Sequence, residues 1–76
     1  MNKTRRKSLK DLIDRLEEIR SDLESLRDDE QDYMDNMPEN LQESERYMNA
    51  EEAVDNLDDA IDGIADAIDS IDDACA

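Results

Sequence analysis

Ala53-Val54-Asp55-Asn56-Leu57-Asp58-Asp59, Ala60-Ile61-Asp62-Gly63-Ile64-Ala65-Asp66 and Ala67-Ile68-Asp69-Ser70-Ile71-Asp72-Asp73 are three successive copies of one seven-residue pattern. Their apolar positions recur at steps of three and four. That spacing gathers side chains on one stripe of an α-helix and scatters them on a strand. In heptad lettering Val54, Ile61, Ile68 and Cys75 are a, and Leu57, Ile64 and Ile71 are d. Position g is alanine each time, at Ala53, Ala60, Ala67 and Ala74. Aspartate is a poor helix former, and aspartates three or four residues apart repel. Such a helix is marginal alone in water. Its apolar stripe must therefore pack on another helix.

The chain supplies one. Leu9, Leu12, Leu16, Ile19, Leu23 and Leu26 fall at alternating steps of three and four, with Tyr33 continuing the row. In that reading Leu9, Leu16 and Leu23 are a, and Leu12, Ile19, Leu26 and Tyr33 are d, an a/d seam. Ser8 or Thr4 is the expected N-cap. Pro38 lacks an N–H and disfavours helical geometry at Met37, so the first helix ends before it. Asn36, Pro38, Glu39 and Asn40 form a connector, and Pro38 is placed to open a short helical turn through Leu41. Ser44 is the expected cap of the second helix, with the box-like pair Asn49 and Glu52 as a competing start. The expected fold is all-α: a single domain over residues 1–76, with helices over about 5–35 and 44–75 joined by a connector at about 36–43. A connector this short implies antiparallel, coiled-coil-like docking. The a, d and g stripe of the second helix is wider than one partner requires, which points to two hairpins forming a homodimeric four-helix bundle.

Charge bounds the partners. Among 76 residues, 24 are Asp or Glu and 9 are Lys or Arg, for a formal charge of −15. This disfavours direct binding to nucleic acid or to an anionic membrane and favours a basic protein surface. The sign is uneven along the chain. Lys3, Arg5, Arg6, Lys7 and Lys10 open it without an acid, whereas residues 47–76 hold ten acids and no base. The basic start is expected to pair with the acidic end of the second helix. Arg20 and Arg27, flanking the first seam, are expected to reach Asp58 or Asp72. The lone Cys75 has no internal disulfide partner, and no long apolar run spans a membrane, so a cytoplasmic protein is expected.

The candidate site is the acidic face of the second helix: Asp55, Asp58, Asp59, Asp62, Asp66, Asp69, Asp72 and Asp73. With Glu51 and Glu52, ten charges span 22 residue steps. That is one charge per ~3.3 Å of axis at ~1.5 Å rise, close to the ~3.4 Å spacing along one DNA strand. The plainer reading is a solvated face. Against it, solvated faces usually interleave Lys with Glu, and no base occurs here. Short, stiff Asp outnumbers Glu eight to two despite its poorer propensity. The oligomer seam is Val54, Leu57, Ile61, Ile64, Ile68 and Ile71. Tyr33, Met34, Met37, Tyr47 and Met48 are expected to plug the connector end. Neither a metal nor a cofactor is expected. There is no His for a di-iron bundle site, the acids follow helical and not calcium-loop spacing, and no nucleophile has a base beside it. An enzyme is not expected.

The stretch Asn36-Met37-Pro38-Glu39-Asn40-Leu41-Gln42-Glu43-Ser44-Glu45-Arg46, followed by the Ala-apolar-Asp repeat, resembles a group of small acidic helical proteins. These are encoded by bacteriophages and mobile elements of Gram-positive (Firmicutes-type) bacteria, and the group has no settled activity. The resemblance transfers no functional residues. It implies a phage accessory protein in the host cytoplasm, a setting where inhibitors of host defence are common. Two functional readings result. One is a DNA-mimic inhibitor of a basic, nucleic-acid-binding protein such as a restriction or CRISPR nuclease. The alternative is a homo-oligomeric coiled-coil scaffold whose acids only keep it soluble.

Overall fold

The computed structural model describes residues 1–42 and 44–76. It holds two long helices, α1 (Lys3–Asp35) and α2 (Glu45–Ala74), joined through a 3₁₀ turn at Glu39–Leu41. The helices pack antiparallel into a rod with extents of 59 × 15 × 12 Å. No strand occurs among the described residues.

Local chemistry sets the ends. α1 begins two residues earlier than expected because Asn2 is its cap; the side-chain oxygen accepts from the Arg5 N–H at 2.7 Å. Thr4 and Ser8, the caps expected from sequence, lie inside the helix. Asn36 closes α1, donating its N–H to the Asp32 carbonyl at 3.0 Å. Pro38 then starts the 3₁₀ turn, with the Leu41 N–H reaching its carbonyl at 2.9 Å. Ser44 caps α2 by accepting from the Tyr47 N–H at 3.3 Å, while its hydroxyl also donates to the Leu41 carbonyl. Asn49 lies within α2. Ser44→Ala removes both contacts. The expected cost is about 1 kcal/mol, read as a fall of roughly 4–8 °C in the midpoint of thermal unfolding followed by circular dichroism.

The core is thin and weighted toward the connector. Met34, Ala50 and Val54 are buried together with Tyr47 against them; Met37 and Ile68 are also buried. On α2 the inward face agrees with the heptad lettering. Val54 and Ile68 are buried, and Leu57, Ile61, Ile64 and Ile71 are half-buried against α1.

The α1 seam differs from its expected frame. Leu9, Leu16 and Leu23 are half-buried, but their companions toward α2 are Ile13, Arg20, Arg27 and Met34. The expected d residues face solvent: Leu12 is 42%, Ile19 48%, Leu26 59% and Tyr33 45% exposed. α1 is thus turned so that a and e, not a and d, meet α2. The physical reason is that position e carries Ile13 and Met34 together with two arginines. Their aliphatic stems cover the seam while the charged ends stay at its edge. The connector plug is likewise only partly formed: Met34, Met37 and Tyr47 close it, while Tyr33 and Met48 remain outside.

Gly63 sits in the middle of α2. A glycine there disfavours helix by about 0.5–1 kcal/mol relative to alanine. A Cβ built at Gly63 meets nothing within 4 Å. Nothing inside the hairpin requires the missing side chain.

Candidate carboxylate face of the second helix

α2 runs about 44 Å from Glu45 to Ala74 at ~1.5 Å per residue, and its side chains are sorted by heptad position. Positions a and d pack on α1. The b residues Asp55, Asp62 and Asp69 and the f residues Asp59, Asp66 and Asp73 are all exposed. At e, Asp72 is exposed and Asp58 half-buried. The packing of a and d therefore turns the carboxylates at b and f away from α1, so that they share one continuous outward surface.

Asp58 is set apart from the other seven. Its Oδ1 lies 3.4 Å from Arg27 Nε, and the same nitrogen lies 3.3 Å from Asp28 Oδ1. The Arg27 Nε is buried and within ion-pair reach of both acids, yet it makes no hydrogen bond. Two acids sharing one poorly aligned donor are held by charge attraction more than by bond geometry. This pair is the cross-helix contact expected for Arg27. Arg20 differs from expectation: it pairs on its own helix with Glu17 and, at 3.9 Å, with Glu24, and not with Asp58 or Asp72. The basic start differs too. Among the described residues no ion pair joins Lys3, Arg5, Arg6, Lys7 or Lys10 to α2, although the hairpin brings the two ends together. Long exposed side chains lose entropy on pairing and regain little Coulomb energy in water.

Seven of the eight candidate aspartates thus carry no ion pair among the described residues. The proposed seam residues Val54, Leu57, Ile61, Ile64, Ile68 and Ile71 are used within the chain, against α1. Sequence reading missed the exposed row Leu12, Ile19 and Leu26. The apolar residues Ile13 and Met34 at position e were the available signal, because they widen the α1 stripe beyond one seam. Among the described residues no group of three or more His, Cys, Asp or Glu side chains is placed to hold a metal ion. None of the described helices is long and apolar enough to cross a membrane. No family model, curated protein or solved structure matches this chain.

Proposed function

We propose that this chain is an acidic binding protein whose α2 carboxylates engage a basic, nucleic-acid-binding surface on another protein. It would act there as a competitor of nucleic acid, as a DNA-mimic inhibitor of a host defence nuclease does, and it would catalyse no reaction of its own. The supporting observation is the state of the acids. Asp55, Asp59, Asp62, Asp66, Asp69, Asp72 and Asp73 are exposed and free of ion pairs among the described residues, on a helix with no base after Arg46. A row held in this way presents its charge to a partner without first breaking an internal contact. The helix fixes the spacing, and the two-bond reach of aspartate fixes the position, so little side-chain order is lost on binding.

The test is displacement of a labelled DNA duplex from a basic DNA-binding domain by the intact chain. Displacement is expected at about 0.05 M salt and to fall by a factor of ten or more at about 0.5 M, where the Debye length shrinks from about 14 to about 4 Å. Displacement that does not change with salt would contradict the proposal, as would none at low salt across a panel of such domains. A scaffolding module is the second reading, and the exposed row Leu12, Ile19 and Leu26 favours it. It predicts self-association without displacement of DNA.

A further inference from the structure

The hairpin has two flanks, and they differ in chemistry. The Arg27–Asp58 contact joins position e of α1 to position e of α2. In an antiparallel pair with α1 turned as it is, that places d of α1 and g of α2 together on the opposite flank. This flank carries the exposed Leu12, Ile19 and Leu26 from α1 and the exposed Ala60, Ala67 and Ala74 from α2. The next row outward on α2 is position c: Asn49, Asn56, Gly63 and Ser70. In a chain that is 43% charged, the g and c rows of α2 hold no charge from Asn49 to Ala74. The acids at b and f point elsewhere.

We propose that this flank is an interface with a second copy of the same chain. The two copies are related by a two-fold axis parallel to the helices, with α1 of each lying on α2 of the other.

Register argues for a second copy over any other occupant. Facing residues of α1 and α2 have numbers adding to about 85, as Arg27 and Asp58 show. The stated axis keeps each residue at its own height. Leu12, Ile19 and Leu26 of one copy then come level with Ala74, Ala67 and Ala60 of the other, and Tyr33 with Ala53. A large side chain meets a small one at every level, on both sides of the axis, which is the self-complementarity an isologous interface needs. Gly63 fits the same arrangement. Nothing within 4 Å inside the hairpin explains it, and close approach of a second backbone does. Area is sufficient as well. A face of 59 by 15 Å gives a footprint of roughly 900 Å², comparable to the ~800 Å² per partner of a standard interface. Charge is tolerated at the rim: the acids at b and f of α2 stay outside, while the outward row of α1 on this flank, position g, holds the exposed Arg15, Asp22 and Asp29. Arg15, on the α1 rim and without an ion pair among the described residues, comes near the level of Asp73 of the second copy.

Sedimentation equilibrium of the full chain at about 0.05 and 0.5 M salt tests this. The expected mass is twice 8.8 kDa at both, with tighter association at the higher salt as like charges are screened. Two variants carry the argument. Ile19→Lys with Leu26→Lys, and separately Gly63→Leu, should each weaken the dimer by roughly 100-fold or more, as for loss of central interface residues. Each should keep its helical circular dichroism, because these positions are exposed in the hairpin. Gly63→Leu also raises helix propensity, so its loss of association cannot come from a failing helix. A chain that remains at 8.8 kDa at about 0.1 mM, or a dimer that survives both variants, would overturn the proposal.

Discussion

Val54→Asp is expected to unfold the chain. Val54 is 6% exposed and packs with Met34 and Ala50 in the densest part of the core. The variant loses the apolar contribution of that side chain, about 1.5–3 kcal/mol. It also buries a carboxylate with no base beside it, which costs several kcal/mol more. A domain of this length is stable by roughly 4–11 kcal/mol at 0.05–0.15 kcal/mol per residue. The two losses together are of that size. Far-ultraviolet circular dichroism should show a large part of the helical signal gone at 25 °C, because the Asp-rich α2 is marginal alone in water. A variant that stays helical with a midpoint only a few degrees lower would mean that α1 and α2 do not depend on each other.

The second large effect concerns the carboxylate face. Asp59→Asn, Asp62→Asn, Asp66→Asn and Asp69→Asn together leave the packing face untouched, since all four side chains are exposed. They remove like-charge neighbours at three- and four-residue spacing, each worth about 0.2–0.5 kcal/mol. The helix should therefore become more stable, by roughly 1 kcal/mol. Binding to a basic surface should move the other way. Four lost ion contacts at about 0.5–1 kcal/mol each weaken it by roughly 30- to 1,000-fold. The decisive comparison is a variant with the same change in net charge on α1: Asp11→Asn, Asp14→Asn, Glu18→Gln and Asp22→Asn. If both variants weaken displacement equally, the interaction reads total charge and the α2 face has no special role. A selective loss for the α2 variant assigns the site to that face.

How legible these features were in the sequence follows from which forces act locally. The two helices, the stop at Pro38, the turn to Leu41 and the Ser44 cap are set by residues within one turn of where they act, and spacing alone reveals them. The inward face of α2 was equally plain, because from Val54 onward its Val, Leu and Ile residues occupy only a and d while its acids fall at b, e and f. α1 was harder. Its apolar residues occupy a, d and e, and no periodicity says which two of those three stripes a single partner will take. The choice rests on what faces them. Turning α1 toward e half-buries Ile13, buries Met34 and brings Arg27 to Asp58, and those gains depend on the other helix. The acids of the candidate site were legible as residues and as a helical face. Their freedom from ion pairs was not, because it depends on where long Arg and Lys side chains come to rest.

The uneven distribution of the core bears on how the rod assembles. Met34 and Ala50 lie together across only 16 positions of chain, whereas Leu9 and Cys75, near the far end, are separated by 66. Closing the first contact fixes one short loop, and the entropy of closure rises only slowly with loop length. Each later turn of α1 meets a turn of α2 already brought alongside, so no further loop is closed. Order advances as a front from the connector toward Lys3 and Ala74, and among the described residues Ile68 is the one buried side chain beyond the connector-end cluster. The same front retreats in reverse. The open end, where among the described residues no ion pair joins the basic and acidic tails, is the last to form and the first to separate.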